Sequence, residues 1–65
     1  MPLIQVTMVA GRTTEQKHAL IKELTEAAQR AIGAPAENVR VAIYEVTGEE
    51  WGIGGQPVSV LRPQK

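Results

Sequence analysis

Sixty-five residues, 43% of them hydrophobic but with only Tyr44 and Trp51 aromatic, allow one domain over residues 1–65 and a small core. Seven Lys and Arg balance seven Glu, giving a formal net charge of zero; a nucleic-acid partner is not expected, because there is neither a basic excess to displace counterions nor a row of aromatics for stacking. No apolar run approaches the roughly 18 residues that span a bilayer, and no basic-then-apolar leader opens the chain, so no membrane partner and a cytoplasmic location are expected.

Leu3–Val9 is a short, β-branched, largely apolar run between Pro2 and Ala10-Gly11, and it reads as a strand. Thr13 with Gln16 three residues later fits a capping box, and Glu15 adds favourable charge to the first turn of a helix. From there Leu20, Ile21, Leu24, Ala27, Ala28, Ala31 and Ile32 make one apolar stripe at helical period, with charged and polar residues opposite. Gly33 suits a left-handed cap and Pro35 forbids continuation, so the spacing predicts a helix from about Thr14 to Ile32. Ala34–Asn38 is a connector. Val39–Val46 reads as a second strand, with Val39, Val41 and Ile43 on one face and Arg40, Ala42 and Tyr44 on the other. Strand, helix and strand make a single β-α-β unit of an α+β fold, with parallel strands and a right-handed crossover. Gly48, Gly52, Gly54 and Gly55 crowd around Trp51 and Ile53 and predict a turn and a small hairpin. A weak short strand, Val58–Leu61, and a frayed tail follow.

Two parallel strands under one helix leave one sheet face bare, and an apolar face there needs cover. A core this small seldom supplies more than about 3–5 kcal/mol without a staple. The chain has no cysteine and one histidine, His18, which rules out a disulfide, a thiolate metal site and a histidine cage. Subunits are therefore expected to cover one another in a closed homo-oligomer.

Standard catalytic sets are absent: no Cys nucleophile, no Ser-His-Asp set, and no phosphate-binding glycine loop in the right strand-to-helix context. What remains is Pro2, Arg12, Arg40 and Trp51. Removal of Met1 would turn the Pro2 nitrogen into a secondary amine, and burial with nearby cations would lower its basicity towards neutral pH, where it could act as a general base. Pro2 also suits a plain strand start. Arg12 and Arg40 fit bidentate carboxylate recognition or simple solubilisation, and Arg40, within an otherwise apolar strand, needs a partner. Trp51 suits core, interface or pocket wall. His18, off the apolar stripe, reads as a surface residue.

The ordered set of Met1-Pro2, a β-branched first strand, Gly11-Arg12-Thr13, Glu15-Gln16-Lys17, the amphipathic helix, Ala34-Pro35, Val39-Arg40-Val41 and Gly52-Ile53-Gly54-Gly55 resembles the 4-oxalocrotonate tautomerase family, the small-subunit branch of the tautomerase superfamily. The resemblance spans nearly the whole chain. It implies a β-α-β subunit completed by oligomerisation, commonly a hexamer built as a trimer of dimers. It implies a cofactor-independent isomerase of aromatic compound catabolism that interconverts 2-hydroxydienoates and unsaturated 2-oxo carboxylates or dicarboxylates. Pro2 matches the catalytic proline that shuttles the proton. Arg12 matches the arginine on the distal carboxylate, and Arg40 the one that binds the 2-oxo end and steadies the enolate; in the family these arginines can come from neighbouring subunits. Trp51 stands where a pocket-lining phenylalanine is usual, and Ala10 where many members carry glutamate. Two other functions stay open: a hydratase or dehalogenase-like reaction with protonated Pro2 as acid, and a non-catalytic oligomerising module that keeps Met1.

Overall fold

The computed structural model describes residues 1–62. Strand β1 (Leu3–Val9) and strand β2 (Arg40–Val46) pair in parallel, in a register that runs from Leu3 opposite Arg40 to Val9 opposite Val46. The ladder extends one bond past each end: the Arg40 N–H donates to the Pro2 carbonyl at 3.0 Å, and the Ala10 N–H to the Val46 carbonyl at 2.8 Å. The crossover between them is helix α1 (Thr14–Ile32). Its start carries the predicted capping box: the Gln16 N–H donates to Thr13 Oγ1 at 3.1 Å, and the Thr13 N–H to Gln16 Oε1 at 3.0 Å. Its end is Gly33 at φ 70°, a left-handed conformation that a side chain would strain. A single 3-10 turn over Ala36–Asn38 leads into β2, one residue later than expected.

Helix α1 lies on one face of the sheet. Ile4, Val6 and Met8 of β1, Val41 and Ile43 of β2 and Leu20, Leu24 and Ala28 of α1 are half-buried, and the helix packs mainly against β2. Lys17 Nζ reaches Glu45 Oε1 at 3.1 Å and ties the first turns of the helix to the far end of β2. The apolar stripe is wider than this sheet covers, since Ile21 is 37% and Ile32 67% exposed. Val39 is the one buried hydrophobic residue among those described.

The opposite sheet face is bare, as expected, but it is not the apolar surface the sequence suggested. It presents Leu3, Gln5, Thr7, Arg40, Ala42 and Tyr44, with a hydrogen bond from Gln5 Nε2 to the Tyr44 hydroxyl at 3.1 Å. The strand alternation that sends valine and isoleucine towards α1 leaves polar residues on this side.

The predicted hairpin is present. Strands β3 (Gly52–Ile53) and β4 (Gln56–Pro57) pair antiparallel across Gly54-Gly55. Both loop glycines have positive φ, 61° and 89°, which a two-residue turn of this kind demands. The weak strand expected at Val58–Leu61 is instead a short helix, α2 (Val58–Leu61). The hairpin is only two residues deep, so its open outer edges offer a third strand little backbone to pair with. The chain after Pro57 therefore satisfies its backbone locally and across the loop. The Arg62 N–H donates to the Val58 carbonyl at 2.7 Å, the Val58 N–H to Trp51, and the Ser59 N–H to Gly48. The tail expected to fray lies, from residue 63, outside the described residues.

Candidate active site

The parallel register sorts the four expected site residues into two pairs at opposite ends of the sheet. Pro2 and Arg40 meet at the end where both strands begin. The backbone bond between them fixes their relation, and Pro2 is half-buried while Met1 before it is 82% exposed. The Arg40 side chain folds back so that Nη1 donates to the Glu37 carbonyl at 2.6 Å. That carbonyl belongs to the 3-10 turn and supplies the partner that Arg40 needed, while the guanidinium retains its other N–H groups for an anion.

Arg12 and Trp51 lie together at the end where the strands finish. They line a cleft of about 650 Å³ with the last residues of β1, Ala10, Thr47, Gly48 and the start of α2. That volume falls within the range of small-molecule sites. Arg12 is placed by two local features. Gly11, at φ 138°, turns the chain out of β1, and the capping box one residue later pins the start of α1. Trp51 is half-buried, held by its own carbonyl, which accepts the Val58 N–H at 2.8 Å. His18 is exposed and takes no part.

Eight residue steps separate Pro2 from Ala10 along β1, or about 26 Å at the rise of a strand. One subunit therefore carries two half-sites, a proline-arginine end and an arginine-tryptophan end, that do not meet within the chain. Arg62 was not anticipated: it lines the cleft beside Arg12. No local sequence pattern marks it: α2 rests on the loop through the Ser59 N–H, which donates to the Gly48 carbonyl, and Arg62 follows as the cap of that helix. Among the described residues, no cluster of His, Cys, Asp or Glu could hold a metal ion, and no helix is long and apolar enough to cross a membrane.

Residues 2–61 match the family described as tautomerase enzyme. The chain belongs to the tautomerase family. Among relatives, it is 55% identical over 62 residues to a probable tautomerase of Ralstonia nicotianae, covering 95% of this chain and 89% of that protein. It is 48% identical over 61 residues to a 2-hydroxymuconate tautomerase of Pseudomonas fluorescens, covering 94% of this chain and 97% of that one. Its fold superposes, with a TM-score of 0.90 and 42% identity, on a heterohexameric 4-oxalocrotonate tautomerase of Chloroflexus aurantiacus, over 95% of this chain and 100% of that one. The β-α-β architecture read from the sequence is thus that of the 4-oxalocrotonate tautomerases, and the activity class is that of an isomerase.

Proposed function

We propose that this tautomerase interconverts 2-hydroxydienoate and unsaturated 2-oxo forms of a small carboxylate or dicarboxylate. Residues 1–65 act as one domain whose sites are assembled between subunits. After loss of Met1, the Pro2 nitrogen accepts the proton of the substrate's 2-hydroxyl group and returns it to a carbon of the diene. The double bonds shift, the 2-oxo group forms, and no electron is gained or lost overall. Arg40, at the same sheet end, holds the 2-oxygen and its carboxylate and offsets the enolate's negative charge; losing such a preorganised donor typically costs about 10²–10³ in rate. Arg12 of a neighbouring subunit grips the far carboxylate, and its Trp51 walls the pocket. The chemistry needs no cofactor. The reading carries with it the cytoplasmic location expected from the sequence.

The observation that carries this reading is the backbone bond from the Arg40 N–H to the Pro2 carbonyl, which supports a role for the two residues at a shared end of the sheet. Support for assembly comes from the subunit's own shape. Its radius of gyration is 14.8 Å, against about 11 Å for a compact domain of this length. It exposes 5003 Å², against about 4000 Å² for a self-contained monomer of this mass. We favour a homohexamer, built as a trimer of dimers.

The test is ultraviolet-monitored turnover of 2-hydroxymuconate by purified protein, paired with its intact mass. Conversion to the 2-oxo isomer by protein one methionine lighter than the translated chain supports the reading. Fully methionine-capped protein with no turnover leaves only an oligomerising module. Hydration of the substrate in place of isomerisation would point to Pro2 acting as an acid.

A further inference from the structure

We propose that the Lys17–Glu45 ion pair is a clamp that positions Arg12 and sets the width of the cleft for the far carboxylate of the substrate; this rests on the tautomerase reading above and adds two positioning residues to it. The cleft has two walls that leave the sheet in different directions. Ala10, Gly11 and Arg12 form one, on the way into α1, and Thr47, Gly48 and Trp51 form the other, on the way out of β2. The ladder joins them at the floor, where the Ala10 N–H donates to the Val46 carbonyl at 2.8 Å.

The ion pair supplies a second tie. The Lys17 N–H donates to the Thr13 carbonyl at 3.0 Å, so Lys17 closes the turn that opens directly after Arg12. Its Nζ meets Glu45 Oε1 at 3.1 Å. Glu45 stands next but one before Thr47, and its register partner in β1 is Met8, which lines the cleft. A continuous path therefore runs from Arg12 through Thr13, Lys17 and Glu45 to Thr47. The two side chains are 28% and 30% exposed, so solvent screens this pair less than one standing open on the surface. The other ion pair among the described residues, Lys22–Glu26 at 3.9 Å, lies within α1 and links nothing to the sheet. Neither Lys17 nor Glu45 is among the residues lining the cleft, so each acts through the walls and not on the ligand. A clamp and a bare charge effect differ in sign. Neutralising Glu45 leaves Lys17 an unpaired cation near the cleft, which on charge alone strengthens a dianion; with a clamp, the same change loosens the walls and weakens it.

Trp51 is the chain's only tryptophan and lines the cleft, so its fluorescence reports occupancy without any turnover. The experiment titrates the native oligomer with adipate, an unreactive six-carbon dicarboxylate, and follows turnover of 2-hydroxymuconate alongside. Glu45→Gln and Lys17→Met are each expected to weaken adipate about threefold to fivefold, the most that a pair of this kind shifts between a closed and an open cleft. The double variant is expected to lose no more than either alone, and Lys17→Arg, which keeps the pair, to bind as the parent does. In turnover the single variants are expected to raise KM and leave kcat near the parent's, since Pro2 and Arg40 lie at the other end of the sheet. Lys22→Met removes the same charge from the pair within α1 and is expected to leave adipate binding unchanged. The proposal is overturned by a parent protein that shows no saturable response, by Glu45→Gln binding adipate as tightly as the parent or more so, by losses that add in the double variant, or by an equal loss in Lys22→Met. Should Lys17→Met fail to assemble, Glu45→Gln decides on the same criterion. A coupled loss of adipate affinity, with no 2-hydroxymuconate turnover by the parent, would support the clamp while removing the tautomerase reading.

Discussion

Arg40 works against two demands at once. Its backbone N–H closes the sheet onto Pro2, and its side chain is anchored on the Glu37 carbonyl. Replacement by alanine leaves the first bond intact and removes the second together with the positive charge. Arg40→Ala is therefore expected to fold and assemble but to lose at least about tenfold in kcat/KM, or about 1.4 kcal/mol of transition-state stabilisation. Steady-state kinetics check this, and parent-like turnover would remove Arg40 from the reaction. Arg12 sits at the other sheet end and is expected to act on binding. Arg12→Ala raises KM for a dicarboxylate well beyond its effect on a matched monocarboxylate, and equal effects on the two substrates would show that it does not hold the far carboxylate. Pro2, Arg12, Arg40 and Trp51 were legible as candidates because residue type and neighbours mark them: a proline after the initiator, an arginine after glycine at a strand end, an arginine inside an apolar strand, a lone tryptophan among glycines. Their grouping was not legible, since which end of the sheet a residue occupies follows from parallel register and not from any local spacing.

At the scale of elements, α1 is where independent signals coincide. Thr13 and Gln16 supply the capping box, the apolar stripe keeps helical period, and Gly33 stops the helix, all as the sequence indicated. Thr13→Ala removes the cap that also steadies the loop carrying Arg12. Its expected cost is about 1 kcal/mol, within the usual range for a lost N-cap, read as a lower thermal midpoint. An unchanged midpoint would mean that the loop holds its shape without the cap. The misreading of Val58–Leu61 has a definite cause. Val58 and Val60 favour a strand locally, but strand propensity depends on what lies alongside, and a hairpin two residues deep presents too short an edge to pair along. Because that segment turns as a helix, Arg62 enters the cleft, and the same misreading that hid α2 hid Arg62. The polarity of the bare face, by contrast, could have been read from Gln5, Thr7, Arg40 and Tyr44 by strict alternation along the two strands.

Across the whole molecule, the separation of Pro2 from Arg12 by the length of β1 makes a specific demand on assembly. A chain carrying Pro2→Leu has lost the ring amine, and one carrying Arg12→Ala has lost the far guanidinium. Each alone is expected to form a crippled oligomer. Unfolded together in equal amounts and refolded, they scramble. If one subunit supplies Pro2 and another supplies Arg12, about a quarter of the shared sites regain both groups by random mixing in a symmetric assembly. Recovered activity near that fraction checks the arrangement, and no recovery above the sum of the separate variants would show that each site is served by one chain. The sparse interior has a further consequence. With Val39 as the one buried hydrophobic side chain described, an isolated chain has almost nothing to hold it closed, so association and folding are linked by mass action. A newly made copy must meet its neighbours before it gains a durable shape, and until then it is easy prey for proteases. The amount of working catalyst in a cell would then climb more steeply than the rate of synthesis, with scarce chains cleared and plentiful ones kept.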